Sequence, residues 1–257
     1  MDARLKPMSL WISLALFGIP GVFIYWGMYS GVPWLAEHGV PMEVAFALLS
    51  VTGVILLIVS LIAYRLDGYA WNWKEFRDRF RLHAFRGKEW LWVVGVFLVC
   101  TVSDEALQVI GKWMATIPFF APPDYLPPMF HPLKEVVFPP TEFLGAPLKG
   151  NWGILALWLP LTLVSMVGEE FMWRGYILPR QELRFGRWAW VVNGLMWAFL
   201  VHACMKWAFI GMLPSMLLTP WIAQKLKNTN ASLFVHVFGN VVLFWMFLIS
   251  GVLGLGG

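Results

Sequence analysis

Apolar residues run along the chain in blocks of about twenty, separated by short polar or proline-rich stretches. The blocks fall at 9–29, 43–64, 89–115, 153–178, 188–205, 207–224 and 232–253. Blocks of this length match the thickness of a bilayer's hydrocarbon core, so each predicts a membrane-spanning helix. The expected fold is all-α: a polytopic transmembrane helical bundle of seven spans, eight at most, occupying residues 1–257 as a single membrane domain. The first block follows Met1-Asp2-Ala3-Arg4-Leu5-Lys6, but it is long and no small-x-small cleavage site succeeds it, so it reads as a retained span.

Two connections break the pattern. The cytoplasmic connection 65–90 includes WNWKEFRDRFRLHAFRGKEW, where Trp73, Phe76 and Phe80 recur at helical spacing among basic residues. This predicts an amphipathic interfacial helix acting as a membrane-surface anchor. The connection 116–150 holds nine of the 17 prolines between Pro118 and Pro147, which rules out regular helix and reads as an outer spacer loop, with a lid as the alternative.

Composition agrees with the pattern: 59% of residues are hydrophobic and 13% charged, far from an ordinary soluble domain. The net charge of +4 does not point to nucleic acid, because the basic residues sort by side of the membrane. Fifteen of the 19 lie at the N-terminus, in connections predicted on one face or, for Arg174, near the end of the block that leads to that face, leaving Lys112, Lys134, Lys149 and Lys206 on the other. Cytoplasmic connections carry the excess of Lys and Arg, so the N-terminus is expected inside and the C-terminus outside. Cys100 and Cys204 lie in apolar blocks without paired spacing and read as buried packing.

The polar residues within the blocks carry the chemistry. An ionisable group in a membrane helix costs at least a few kcal/mol, so it usually faces a protein interior and marks a functional site. Gly168-Glu169-Glu170-Phe171-Met172-Trp173-Arg174 places two acids and an arginine in one such block. Glu170 and Arg174 are four apart and share a helical face, while Glu169 is turned about 100° away and has no local counter-ion. Glu169 is thereby the candidate general base. His202 and His236 are the histidines inside spans, and Asn240 follows His236 by four. The set suits amide hydrolysis by activated water: Glu169 with His202 would hold and deprotonate the water, and His236 with Asn240 would donate to the developing oxyanion. A divalent metal such as zinc, held by Glu169, His202 and His236, stays open as a cofactor, although the HExxH spacing is absent.

In order and spacing these residues resemble the CPBP family of intramembrane proteases, the CAAX protease and bacteriocin-processing (Abi-type) group. Glu169-Glu170-x-x-x-Arg174 is similar to its first motif, His202 to the histidine of its second, and His236-x-x-x-Asn240 to its third. The similarity covers about 150–245, the core expected of that family. One position departs: the second motif usually has Phe four residues before its histidine, where this chain has Ala198, with Phe199 next. The resemblance implies an endopeptidase acting on a membrane-associated or peptide substrate, by CAAX-like or leader and tail processing. The substrate would be a peptide or protein, C-terminally lipidated in the CAAX case, met in the lipid bilayer. Glu170 and Arg174 would orient the site or the substrate, and a prokaryotic cell membrane is the implied location. A non-catalytic scaffold or immunity protein with the same fold is the alternative; a transporter finds little support, since no inverted repeat is evident.

Two further expectations concern geometry. A helix from Trp188 would carry His202 about 21 Å deep while Glu169 lies about 13 Å from the end of its block, a mismatch relieved if Trp188–Val192 lies at the interface. Ser103-Asp104-Glu105 reads as the N-cap of a new helix within the third block; lining the same cavity is the alternative.

Overall fold

A computed structural model describes residues 4–255 and is built almost wholly of helix. Helix α1 (Leu10–Trp26) passes through a π turn (Gly27–Gly31) into α2 (Val32–Glu37), and α3 (Met42–Leu66) returns. The short α4 (Trp73–Arg79) precedes α5 (Glu89–Ala115), and a two-residue hairpin, β1 (Glu142–Phe143) and β2 (Ala146–Pro147), closes the proline-rich connection. Helix α6 (Trp152–Glu170) runs through a second π turn (Phe171–Ile177) into α7 (Leu178–Phe185), and α8 (Ala189–Phe199) leads through a tight 3-10 segment (Val201–Ala208) into α9 (Phe209–Leu226). Finally α10 (Thr229–His236), a third π turn (Val237–Val242) and α11 (Leu243–Leu253) form one rod.

Among the described residues six helical segments are long and apolar enough to cross a membrane, one fewer than the seven apolar blocks predict. The fourth and fifth blocks fall in the single segment Trp152–Phe199, turned at Gly186, whose φ of +57° suits glycine. Helix α8 has 11 residues, a rise of about 16 Å, too short to cross about 30 Å of hydrocarbon alone. Large apolar side chains face outward along the bundle, among them Ile55, Ile58 and Ile62 on α3 and Leu98, Val102 and Val109 on α5. An apolar exterior around a helical bundle is what a bilayer solvates, because each helix satisfies its own backbone.

Small residues set the closest approach. Helices α3 and α6 pack extensively, and a Cβ at Gly168 would lie 1.9 Å from the Gly53 carbonyl oxygen, while one at Gly53 would meet Ser165 at 2.1 Å. Without a hydrophobic drive between helices in lipid, such close packing is a main source of association. Gly168 therefore fixes the helix at the residue before the paired acids.

The connections are more structured than their composition suggests. Helix α4 exposes Trp73 as an interfacial residue would, but Arg79 and Phe80 turn inward and are buried. Phe80 packs with Tyr64, Tyr69 and Phe171. The proline-rich connection is not a spacer: Leu126, Phe143, Leu144 and Leu148 are buried in the main core with Trp158 and Phe244, and the Tyr125 hydroxyl donates to the Met28 carbonyl at 2.6 Å. Ser103-Asp104-Glu105 caps nothing, since α5 is unbroken and the Ser103 hydroxyl donates back to Val99 O at 2.6 Å. Cys100 and Cys204 are buried free thiols.

Gly168→Ala is expected to lower stability by at least about 1–3 kcal/mol through overpacking against backbone. Gly18→Ala, where a Cβ meets nothing within 4 Å, should be neutral. Unfolding midpoints of the two variants in the same detergent measure this, and equal midpoints would refute the close α3–α6 contact.

Candidate active site

The paired acids sit where α6 gives way to its π turn. Wide turns of this kind often occur at functional sites, and they leave carbonyls that other groups must satisfy. Asn193, fully buried on α8, donates through Nδ2 to Trp173 O at 3.1 Å and to Gln181 Oε1 at 2.8 Å. Pro179 has no N–H to offer the Gly175 carbonyl four residues earlier. Arg79 of α4 supplies the missing donor, Nη1 to Gly175 O at 2.9 Å, with Nη2 to Tyr176 O at 3.4 Å. Burial pushes the Arg79 guanidinium down to about 10, which still leaves it charged at neutral pH. Gly175 makes room for this contact, since a Cβ there would lie 2.7 Å from the Phe80 ring.

Glu170 and Arg174 are both fully buried and pair as their spacing predicts, Arg174 Nη1 donating to Glu170 Oε1 at 3.0 Å. The same oxygen lies 2.9 Å from His236 Nδ1. A carboxylate there calls for hydrogen on Nδ1, leaving Nε2 as the other polar atom of His236. Glu170 thus joins the first motif to the third, a contact that sequence spacing does not reveal. Arg174 Cζ also lies 3.7 Å from the Trp197 ring centroid, a cation–π stack.

Trp197 is a member of the site that sequence reading missed. Its Nε1 donates to Glu169 Oε2 at 3.2 Å, and its ring meets those of His202 and His236 edge-on, with centroids 5.1 and 5.0 Å away. Glu169 makes no ion pair among the described residues, in contrast to Glu170. One signal was available: Trp197 lies within the apolar run five residues before His202, but a tryptophan there reads first as packing.

His202 does not sit on a regular helix. Its φ of −90° and ψ of 16° place it in the 3-10 segment, where Nδ1 lies 3.2 Å from Trp197 O. The depth mismatch narrows because α6 continues through the π turn and α7 to Phe185. Measured from the Gly186 turn, Glu169 and His202 then stand about 24 and about 20 Å along their segments. Ala198, at the position that departs from the family pattern, is buried, while Phe199 packs on Phe209 with ring centroids 5.4 Å apart. Lys206 is accommodated by aromatic faces, its Nζ 4.7 Å from the Tyr29 centroid and 5.1 Å from that of Phe119.

Glu169, His202, His236 and Asn240 line one cavity of about 430 Å³. Apart from Ser50 and Thr162 its remaining wall is largely apolar, with Phe46, Trp158 and Phe244 from the helices and Leu126, Met129 and Phe130 from the proline-rich connection. His236 and Asn240 share this cavity although a π turn, not the expected α-helix, separates them. The conditional metal set is not assembled: among the described residues no three His, Cys, Asp or Glu side chains converge as ligands.

A bundle of apolar helices enclosing acids and histidines in one cavity defines an integral, multi-pass membrane protein. Residues 151–242, the segment with all six motif residues, match the family model described as "Rce1-like: Type II CAAX prenyl endopeptidase Rce1-like", a model of the CPBP family. The match supports a CAAX-type intramembrane protease. No curated protein and no solved structure matches the chain significantly.

Arg174→Leu would leave Glu170 as a buried charge without its counter-ion, and a loss of about 3–5 kcal/mol is expected. Replacing both Glu170 and Arg174 by Leu should recover part of this loss. Thermal or denaturant unfolding of the purified variants in detergent decides it, and a single variant as stable as wild type would remove the pair from its organising role.

Proposed function

We propose that the protein is an intramembrane endopeptidase that hydrolyses a peptide bond of a membrane-associated peptide or protein, with Glu169 as the water-activating base. The observation that carries this reading is the division between the two acids. Glu170 is held by Arg174 and His236, whereas Glu169 lines the cavity and, among the described residues, makes no ion pair and accepts from the Trp197 indole N–H.

In this mechanism a water between Glu169 and His202 gives its proton to the Glu169 carboxylate, and the hydroxide adds to the scissile carbonyl. Asn240 Nδ2 and His236 donate to the resulting oxyanion, with Glu170 fixing the imidazole through Nδ1. Collapse of the tetrahedral intermediate transfers the proton to the leaving amine and breaks the C–N bond. Every step is carried by side chains and water. A covalent acyl-enzyme is not needed, and no serine or cysteine is assigned the role of nucleophile.

Purified protein in nanodiscs, tested on a membrane-peptide library with termini read by mass spectrometry, tests the mechanism. Glu169→Gln and His202→Ala are each expected to reduce cleavage by about 10²–10⁴-fold, and Asn240→Ala by about 10²-fold, with unfolding midpoints unchanged. Cleavage by Glu169→Gln at the wild-type rate would remove Glu169 from the mechanism, whereas no cleavage by the wild-type protein would favour the scaffold alternative.

The cavity reaches toward the proline-rich connection, on the face opposite the basic connections. With the N-terminus inside, substrate would therefore approach from the outer side. A cysteine at the exposed Glu135 should react with a membrane-impermeant maleimide in intact cells, and one at Lys74 only after permeabilisation. The reverse pattern would turn the molecule over and place the cavity mouth on the cytoplasmic side, where lipidated C-terminal tails are found.

A further inference from the structure

Asp104, Gln108 and Lys112 recur every four residues on α5, so one face of a membrane-spanning helix is polar. All three line a second cavity of about 510 Å³, whose roof includes His131 and Lys134 of the proline-rich connection. This cavity shares Met129, Phe130, Met205, Trp207, Met212 and Asn240 with the one holding Glu169. It is therefore an arm of the candidate site, joined to it at the proposed oxyanion donor. The two differ in what they add to that shared wall: the first adds Glu169, His202 and His236 within an otherwise largely apolar lining, the arm adds Asp104, Lys112, His131, Lys134 and Glu135.

Within the arm the charges are unevenly placed. Both oxygens of Asp104 accept from the Ser215 hydroxyl, at 2.7 and 2.8 Å, and no cation pairs with Asp104 among the described residues. Lys112 is two turns further along α5, about 12 Å away. Lys134 is committed to the carbonyls of Asp124 and Leu126. A carboxylate in a membrane helix normally faces a cavity or a counter-charge. Asp104, an exposed residue of α5, lines the cavity, where a cationic occupant would supply the counter-charge.

We propose that this arm is a substrate subsite and that Asp104 selects a basic side chain, Lys or Arg, in the peptide segment flanking the scissile bond. The aliphatic stem of such a residue would run along Met129, Met205 and Met212 and bring its cationic head to the carboxylate. Ser215 holds the carboxylate in place without neutralising it. Naming the occupant as substrate rests on the proteolytic reading; the preference for a cation rests on the arm alone.

The test uses full-length protein in nanodiscs carrying Glu169→Gln, so that binding is measured without turnover. The probes are short fluorescent Ala/Leu peptides in which a single Lys or Glu is walked through every position. At one position the Lys peptide is expected to bind about tenfold tighter than its Glu counterpart. Asp104→Asn, which keeps an acceptor for Ser215, should abolish the difference, and Asp104→Lys should invert it. Equal binding of Lys and Glu peptides, no binding of either, or a preference that survives Asp104→Asn would overturn the subsite. Cleavage of the same peptides by protein with Glu169 intact separates the two readings. A Lys preference in binding without any cleavage would sink the protease reading and leave the subsite, while cleavage indifferent to Lys or Glu would do the opposite.

Discussion

A carboxylate and a guanidinium with no access to solvent meet inside an apolar bundle, and the candidate site is arranged around that contact. Glu170 and Arg174 compensate each other's desolvation only while both stay in place, so the helix carrying them has little freedom to shift. Each partner then reaches further. Glu170 holds His236, which brings α10 to α6, and Arg174 lies over Trp197, which brings α8 to the same point. Trp197 in turn touches Glu169, His202 and His236. One buried pair thus ties together the three stretches of sequence that carry the polar motif residues.

That arrangement depends on helices that are not regular α-helix at the places that matter. The π turn after Glu170, the 3-10 segment at His202 and the π turn after His236 each coincide with a motif. A wide or tight turn redirects side chains, and it also frees backbone groups that would be costly in a membrane. Here they are met by side chains from elsewhere: Asn193 at Trp173 O, and Arg79 at the Gly175 and Tyr176 carbonyls. Helix α4 is therefore more than a surface anchor, because its last residue completes the backbone of the helix that carries the acids.

The architecture was legible wherever it followed from period and length. Apolar blocks gave the helices, and the i, i+4 spacing of Glu170 and Arg174 gave their pairing, because both are local. What escaped was either an interruption of helix or a contact between distant segments. The break at Gly186 and the short α8 were hidden by an apolar run through Trp188–Phe199 that has the composition of a span without its geometry. Trp197 reads as packing until Glu169 and Arg174 are placed beside it. Pro179 did signal a carbonyl without its donor at Gly175, but nothing local indicates that Arg79, nearly a hundred positions earlier, supplies one.

The proline-rich connection shows how composition can mislead about role. Nine prolines exclude helix and suggest an extended spacer, yet proline also reduces the conformational entropy lost on ordering a loop. A segment so restricted can be fixed by few contacts, and here aromatic residues provide them: Phe143 against Trp158 and Phe244, and Tyr125 against Met28. Once fixed, it contributes Met129 and Phe130 to both cavities and His131 and Lys134 to the polar arm. The same restriction that rules out helix therefore makes a fixed roof over both cavities: Met129 and Phe130 cover the chamber that holds Glu169, His202 and His236, and the neighbouring His131 and Lys134 reach only the arm that holds Asp104.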